Sequence, residues 1–321
     1  MEKYTAPKNN NTNNVIVATK VRKTYKGAAQ NSVVGVGVTQ GLSFSVKRNE
    51  IFGIIGPDGA GKTTLFRLMT SLLKADEGTI TVLGQNAATN YRAIRNHIGY
   101  MPGTFSLYPD LTVKETLHFF AKLFDTTVEA NYDLVKHVYQ QIEPFQHRRA
   151  RNLSGGMKQK LALSCALIHK PQILFLDEPT TGIDPLSRVD LWDMLRMLSN
   201  SGVTVVVSTA YMDEAKRCDR VAFMLDGQFL AIDSPNKFEQ EYPYPLFAVH
   251  GEQRLELLER LRTFPNTISC YAFGETLHLS VKPNTEVAEV EAFLARKGLQ
   301  ANIHTITANI EDAFMNLSEN R

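Results

Sequence analysis

A glycine-rich loop carries the most specific chemistry in the sequence. Glycines allow backbone N–H groups to turn toward phosphate oxygens, and a lysine beside them adds a compact positive charge. A hydroxyl at the start of the following helix can ligate Mg²⁺ where the positive end of the helix faces the anion. The sequence has this G-x-x-x-x-G-K-[ST] pattern as Gly56-Pro57-Asp58-Gly59-Ala60-Gly61-Lys62-Thr63, with Thr64 next in the chain. We therefore expect the loop to bind nucleotide phosphates, with Lys62 at the β- and γ-phosphates and Thr63 on the metal.

Asp58 is unusual in such a loop because a carboxylate repels phosphate. We expect its side chain to point outward. The simplest alternative for the whole segment is a glycine turn between a strand and a helix. An apolar run at 51–55 precedes the loop and a helical pattern at 63–73 follows it, which is the context that a phosphate site requires.

Two carboxylates end a second apolar segment, Ile173-Leu174-Phe175-Leu176-Asp177-Glu178. At the end of a buried strand, Asp177 would orient Mg²⁺ through water, and Glu178 would polarise the attacking water. Alone, the pair could be two solvated acids. Together with the phosphate loop, it predicts a site that hydrolyses the nucleotide.

A third motif, Leu153-Ser154-Gly155-Gly156-Met157-Lys158-Gln159, lies between these two and opens a helical pattern that runs to 168. The Ser154 side chain and the N–H groups of Gly155 and Gly156 form an anion site at a helix N-terminus. An isolated motif of this kind is usually a helix cap. Its position between the phosphate loop and the acidic strand favours a functional role.

The segments that must position these residues alternate between strand and helix patterns. The continuous apolar segments are 51–55, 173–176 and 203–207, and a helical pattern occupies 186–198. Such strands are typical of a parallel sheet covered on both faces. Segments 15–18 and 42–46 also have strand patterns. The central part of the chain is therefore expected to be α/β.

A break at Tyr242-Pro243-Tyr244-Pro245 separates a different pattern near the C-terminus. We expect a small α+β domain over 240–321 with a βαββαβ order. Its predicted strands and helices, in chain order, are 246–249, 254–264, 269–272, 276–281, 287–297 and 302–307. It lacks a catalytic constellation, and His278 and His304 are isolated residues in strand patterns.

Composition limits the class of protein. A chain of 321 residues is long enough for about two domains, and a net charge of +2 gives no reason to expect nucleic acid as a partner. Three widely spaced cysteines exclude a disulfide scaffold. No apolar segment is long enough to cross a membrane, and the asparagine-rich residues 1–14 are expected to be a disordered tail.

The order of phosphate loop, LSGGMKQ and LFLDEPTTGIDP resembles the nucleotide-binding subunit of an ATP-binding cassette (ABC) transporter over residues 15–235. The resemblance implies a P-loop NTPase of ABC type, in which a parallel-sheet core is joined by an antiparallel β subdomain and a helical subdomain. It also implies that two cassettes face each other, with each ATP between the phosphate loop of one and the LSGG of the other. Tyr25 would then stack on adenine, although it could be an ordinary strand-end tyrosine, and Asp184 would contact the opposite cassette.

Three further segments are similar to the drug-export or multidrug type: Leu107-Tyr108-Pro109-Asp110-Leu111-Thr112-Val113, Tyr211-Met212-Asp213-Glu214-Ala215 and Ile310-Glu311-Asp312-Ala313-Phe314. This resemblance implies an ATPase that uses ATP and Mg²⁺ to drive export through separate membrane permeases. Its partners would be those permeases and a second cassette, or a second copy of the chain, at the cytoplasmic face of the inner membrane. The C-terminal domain would serve dimer contact or regulation. A regulatory ATP-binding module and a non-transport ABC protein are the alternatives.

Two positions depart from the family pattern. The family usually has a glutamine after Ile98-Gly99-Tyr100-Met101-Pro102 and a histidine after Val207-Ser208-Thr209, where this chain has Gly103 and Ala210. One interpretation is that Thr104 or Tyr211 substitutes. The other, which we favour, is that this site binds ATP but hydrolyses it slowly, while the LSGG completes an active site on a different cassette.

The segment Thr104 to Thr116 resembles the surface on which a membrane subunit docks. Its apolar residues are Phe105, Leu107, Tyr108 and Leu111. Exposed apolar clusters mark partner surfaces, whereas the alternative is a small local core.

Overall fold

The computed structural model describes residues 13–26, 33–104 and 106–319. They form two compact units, one ending at Ser234 and the other beginning at Pro235. In these ranges, no helix is both long and apolar enough to cross a membrane. We expected a disordered tail over 1–14, and its residues 1–12 lie outside the described residues. Asn14 does not belong to a tail, because it is the first residue of a strand and pairs with Lys47.

A mainly parallel sheet forms the centre of the first unit, and it confirms the predicted α/β fold. Its strand order is β11-β10-β4-β9-β8-β7, with only β11 antiparallel to its neighbour. The bounds are β4 (Ile51–Ile55), β7 (Ile98–Met101), β8 (Ile173–Asp177), β9 (Thr204–Thr209), β10 (Arg220–Leu225) and β11 (Gln228–Asp233). Strands β4, β8 and β9 are buried along their whole length, as their continuous apolar character predicts.

An antiparallel sheet is built around the long strand β1. The bounds are β1 (Asn14–Lys26), β2 (Val33–Val36), β3 (Leu42–Lys47), β5 (Glu77–Val82) and β6 (Gln85–Asn86). The two sheets share one apolar core, in which Phe44 of β3 stacks on Phe52 of β4 with ring centroids 6.2 Å apart. Burial of this common core fixes β1 and β2 beside the loop that follows β4.

Helices fill the remainder of the first unit. The bounds are α1 (Lys62–Met69), α2 (Tyr91–Arg95), α3 (Val113–Leu123), α4 (Val128–Tyr139), α5 (Gly155–Leu167) and α6 (Pro185–Asn200). Helix α1 is four residues shorter at its C-terminus than its pattern predicts, because Ser71 adopts a left-handed φ of 59° that a helix cannot continue through. Thr112 and Glu115 form a capping box that starts α3 within the segment expected to be a docking surface.

The second unit has the predicted βαββαβ order with an added helix at each end. The bounds are α7 (Pro235–Gln240), β12 (Leu246–His250), α8 (Arg254–Arg262), β13 (Thr267–Phe273), β14 (Thr276–Val281), α9 (Val287–Ala295), β15 (Asn302–Ile306) and α10 (Ile310–Glu319). The antiparallel strand order is β13-β14-β12-β15, and the core includes residues of α8 and α9. His278 of β14 contacts Asp312 of α10, with Nδ1 and Oδ1 2.8 Å apart.

Candidate nucleotide-binding site

The glycine-rich loop connects β4 to α1. Gly61 is the N-cap of α1 and has a φ of 103°, a conformation that glycine adopts without the strain of a side chain. The first-turn N–H groups of α1, which include those of Lys62, Thr63 and Thr64, have no intrahelical acceptors. The fold therefore presents unused donors at the positive end of a helix.

Lys62 is buried at the centre of this loop. Its Nζ donates to the carbonyl oxygens of Gly56 and Pro57 at 2.9 and 3.0 Å, and it lies 3.2 Å from Oε1 of Glu178. A buried ammonium requires anionic or carbonyl partners, and a phosphate supplies them more strongly than peptide carbonyls do. The Asp58 side chain is 92% exposed, as expected for a side chain that points outward, but its Oδ1 still lies 3.9 Å from Nζ, within ion-pair distance of the loop lysine.

Asp177 ends β8 beside the start of α1. Ser208 Oγ donates to its Oδ1 at 2.5 Å, and Thr63 also hydrogen-bonds to this carboxylate. Burial raises the pKa of Asp177, and the hydrogen bonds from Ser208 and Thr63 oppose that increase. A carboxylate and a hydroxyl in this arrangement are the hard oxygen ligands that Mg²⁺ prefers. The two predicted metal ligands thus meet, and their chemistry fits the ion.

Glu178 follows Asp177 with a left-handed φ of 52°. Its backbone N–H donates to Ser208 at both the side-chain and the carbonyl oxygen, at 3.0 and 3.1 Å. This turn directs the side chain toward Lys62. The fold therefore brings Lys62, Thr63, Asp177 and Glu178, predicted from separate motifs, into one site.

Ser208 was not among the residues predicted for the site. It contacts both carboxylate residues, and its signal in the sequence was only its position just after the apolar segment 203–207. Neighbouring parallel strands place Asp177 of β8 opposite Ser208 of β9, a register that a single sequence does not display.

Replacing Ser208 by alanine is expected to lower the free energy of unfolding by about 1–3 kcal/mol, because Asp177 would keep its burial but lose a donor. Denaturant unfolding of the full chain measures this loss. Ser201→Ala is the matched control, since its hydroxyl only donates to Leu198 O near the end of α6. Equal losses in the two variants would contradict a special role for Ser208.

The LSGG segment and Asp184 lie together elsewhere in the unit. Ser154 is the N-cap of α5 and accepts from Met157 N at 3.3 Å, while Asp184 is the N-cap of α6 and accepts from Ser187 N at 3.0 Å. A Cβ at Gly155 would lie 3.0 Å from Gly182 O, so the two helix starts are in contact. In the described part of the chain, neither cap hydrogen-bonds to the phosphate loop.

Tyr25 lies near the end of β1, opposite Val34 of β2, and is 40% exposed. Lys23 Nζ stands 5.7 Å from the centroid of its ring. The ring is therefore available to a ligand, and its role as the adenine platform remains a prediction.

Comparison with known proteins decides the family. The sequence model described as "ABC transporter" matches residues 39–181. The chain is 37% identical over 280 residues to a probable multidrug ABC transporter ATP-binding protein, YbhF of Escherichia coli, covering 86% of this chain and 48% of that protein. It is also 36% identical over 286 residues to the Nod factor export ATP-binding protein I of Burkholderia lata, covering 88% of this chain and 92% of that one.

The chain belongs to the ABC transporter ATP-binding family. It spans about half the length of YbhF and nearly all of the Nod factor export protein. A solved dimeric cassette, MJ0796 with ADP and Pi, superimposes with a TM-score of 0.61 at 25% identity, covering 68% of this chain and 98% of that one. The ATP-binding subunit of another ABC transporter gives 0.62 at 23% identity, covering 71% and 93%, which shows the same fold. ABC cassettes are ATPases.

Of the two positions that depart from the ABC pattern, Gly103 lies beside Asp177 and Glu178, and Ala210 follows a strand that is hydrogen-bonded to the phosphate loop. A Cβ at Gly103 would be 3.1 Å from Asp177 O and 3.8 Å from Glu178 Cβ. Ala210 directly follows β9, where Thr209 O accepts from Gly56 N at 3.3 Å. Neither residue has a side chain that can hydrogen-bond.

Tyr211, one candidate to replace the missing histidine, has another partner. Its ring packs against the Arg188 guanidinium of α6, with Cζ 4.3 Å from the ring centroid. Arg188 in turn lies 3.6 Å from Oε1 of the buried Glu214. The Tyr211 ring thus packs on α6. This favours the interpretation that Tyr211 does not take the place of the missing histidine.

Proposed function

We propose that this chain is the ATP-binding subunit of an ABC export system and that its own nucleotide site hydrolyses ATP slowly. The observation that carries this proposal is the meeting of the buried Lys62 with Glu178, Asp177 and Thr63 at the end of a glycine loop. Export is supported by the names of the relatives, one a probable multidrug transporter component and the other a Nod factor export protein.

The site residues would have separate roles in ATP binding and in hydrolysis. Lys62 would exchange its carbonyl partners for the β- and γ-phosphates, and Tyr25 would stack on adenine. Thr63 and Asp177 would hold Mg²⁺, whose charge stabilises the negative charge that develops on the phosphates. Glu178, released from Lys62 when phosphate takes its place, would polarise the attacking water.

The loss of polar groups at Gly103 and Ala210 affects the reaction more than the binding. Contacts that act in the transition state are typically worth about 2–4 kcal/mol, or roughly 10²–10³ in rate. We infer that this cassette pairs with another that has an intact site, and that Ser154, Gly155 and Gly156 complete that site while Asp184 contacts the partner. A homodimer is the other assembly, and it would contain two slow sites.

A purified-chain experiment tests this function. We expect saturable, Mg²⁺-dependent binding of a fluorescent ATP analogue together with very low turnover. Robust hydrolysis by the chain alone would contradict the slow site, and failure to bind ATP would contradict the whole proposal. A regulatory ATP-binding module is the second candidate, favoured by Gly103 and Ala210. It is distinguished by an ATPase rate that stays low when membrane and cassette partners are present.

An apolar cleft supports docking on a membrane permease. The cleft has a volume of about 250 Å³ and lies between the end of α1, β7 and the helices α3 and α5. Its lining includes Leu107, Phe120 and Phe124, and Tyr108 is exposed beside it with its ring against Phe119. Phe105, also predicted for this surface, lies outside the described residues. We propose that a permease segment occupies the cleft and holds this subunit at the cytoplasmic face of the membrane, and that the C-terminal unit serves dimer contact or regulation.

A charge in this cleft is expected to detach the subunit from its permease. Leu107→Asp would place a carboxylate against apolar walls and should reduce co-purification with a multi-span membrane protein at least about tenfold, since an unpaired buried charge costs several kcal/mol. Leu255→Asp on α8, where the side chain is 78% exposed, is the control and should leave co-purification unchanged. Unchanged recovery with Leu107→Asp would exclude this docking site.

A further inference from the structure

The end of β1 that carries Tyr25 has a neighbouring strand on one side only. Pairing of β1 with β5 ends at Arg22 opposite Glu77. Pairing with β2 begins at Lys23 and continues to Lys26. The segment from Lys23 to Lys26 therefore projects past the edge of β5, and an unpaired strand end of this kind frays unless other groups satisfy its backbone.

Asp76, the residue before β5, occupies the side that lacks a strand. Its Oδ2 accepts from the backbone N and the hydroxyl of Thr24 at 2.8 and 2.9 Å, and its Oδ1 accepts from Lys23 Nζ at 2.6 Å. Its own backbone N donates to Arg22 O at 2.8 Å. The carboxylate thus accepts hydrogen bonds from β1 on the side where pairing with β5 has ended. It makes three charge-assisted contacts there.

The same contacts keep the carboxylate charged. The hydrogen bond from Lys23, followed by those from Thr24, lowers the pKa of Asp76 to about 2. Asp76 therefore holds Lys23 at any pH used for nucleotide binding. Lys23 lies over one face of the Tyr25 ring, so the network orients that ring as well as the backbone beneath it.

The opposite side of this segment is tied to the phosphate loop. Gly37, just after β2, donates its N–H to Gly227 O at 2.7 Å, and Gly227 donates to Ala60 O at 2.9 Å. Strand β2 therefore links Tyr25 to the phosphate loop on one side, while Asp76 holds it on the other. A change at Asp76 leaves the Gly227 connection in place and acts on the ring.

We propose that Asp76 is a positioning residue for nucleotide binding, which holds Tyr25 as the platform for the base without contributing to the triphosphate site. This role rests on the proposed ATP-binding function. Base–aromatic stacking is worth about 1–3 kcal/mol, or roughly 5- to 150-fold in affinity, so loss of part of it is measurable.

The test compares ATP with a ligand that has the triphosphate but lacks the nucleoside. Calorimetry of the full chain with Mg²⁺ measures Kd for ATP and for inorganic tripolyphosphate. Asp76→Ala should weaken ATP binding by about 3- to 10-fold and leave tripolyphosphate unchanged. Asp76→Asn, which keeps an acceptor for Thr24, should have a smaller effect. Glu77→Gln, which removes the neighbouring carboxylate that pairs with Arg22, should leave both ligands unaffected.

A double-mutant cycle shows whether the effect passes through the ring. Tyr25→Ala should itself weaken ATP binding, and adding Asp76→Ala should then change Kd by less than about twofold. Equal losses for ATP and tripolyphosphate, or additive losses in the double variant, would overturn the positioning role while leaving ATP binding established. An unaltered chain that does not bind ATP would overturn the proposed function and this role with it.

Discussion

Restoring a histidine at Ala210 and a glutamine at Gly103 is expected to raise the ATP turnover of the isolated chain by roughly 10²–10³. Ala210 follows β9 next to the phosphate loop, so a side chain there extends from a strand that is already hydrogen-bonded to Gly56. Glu178, Lys62, Asp177 and Thr63 already lie together beside the phosphate loop. We therefore propose that the missing polar groups limit the rate of hydrolysis at this site.

The two replacements should not behave alike. A Cβ at Gly103 would lie 3.1 Å from Asp177 O, which requires a shift of a few tenths of an ångström in the backbone. We therefore expect Ala210→His alone to give the larger single gain and Gly103→Gln to add to it only in the double variant. Steady-state release of phosphate from ATP and Mg²⁺ measures each rate.

Glu178→Gln in the double variant is the necessary control. It should remove the gained turnover while ATP still binds, which places the gain at this site and not in a contaminating ATPase. A double variant that binds ATP normally and hydrolyses it no faster than the unaltered chain would show that these two positions do not limit the reaction.

A carboxylate introduced into the LSGG segment should stop ATP hydrolysis by the cassette complex. A defect in the chain's own phosphate loop should only reduce it. In the cassette complex isolated through a tag on this chain, Gly156→Asp is expected to lower ATPase activity by about 10²-fold or more. The new charge would face the phosphates bound by the partner's loop, at a helix start whose donors suit an anion. A Cβ at Gly156 lies 3.4 Å from the flexible Ser187 hydroxyl, so the substitution can be accommodated.

The matched variants separate a mixed pair of cassettes from two identical ones. Lys62→Ala should also lower the ATPase activity of the complex, but by a factor at least about ten times smaller than Gly156→Asp does, because the slow site contributes little turnover. Asn200→Asp, which adds the same charge at the exposed end of α6, should leave the activity unchanged. Equal losses of ATPase activity from Lys62→Ala and Gly156→Asp would indicate that the complex contains two copies of this chain and that both hydrolyse ATP.

The central fold and most of the site could be predicted because the relevant signals are local. A strand buried on both faces is apolar throughout, as in 51–55 and 173–176, and a phosphate loop needs glycines and a lysine within a few residues. The acids at the end of β8 were predicted to act with that loop, and the structure places Glu178 3.2 Å from Lys62. The departures at Gly103 and Ala210 were visible only against the family pattern.

The sequence by itself determined which residues are candidates to bind phosphate and metal, since those properties depend on side-chain type and close spacing. Only the tertiary structure decided which distant residues support them: Ser208 beneath the two acids, Arg188 against Tyr211, and Asp76 beside the end of β1. These contacts join residues 23 to 52 positions apart in the chain, through strand register and shared burial of two sheets. Register and packing depend on the whole core at once, so no short segment of sequence encodes them.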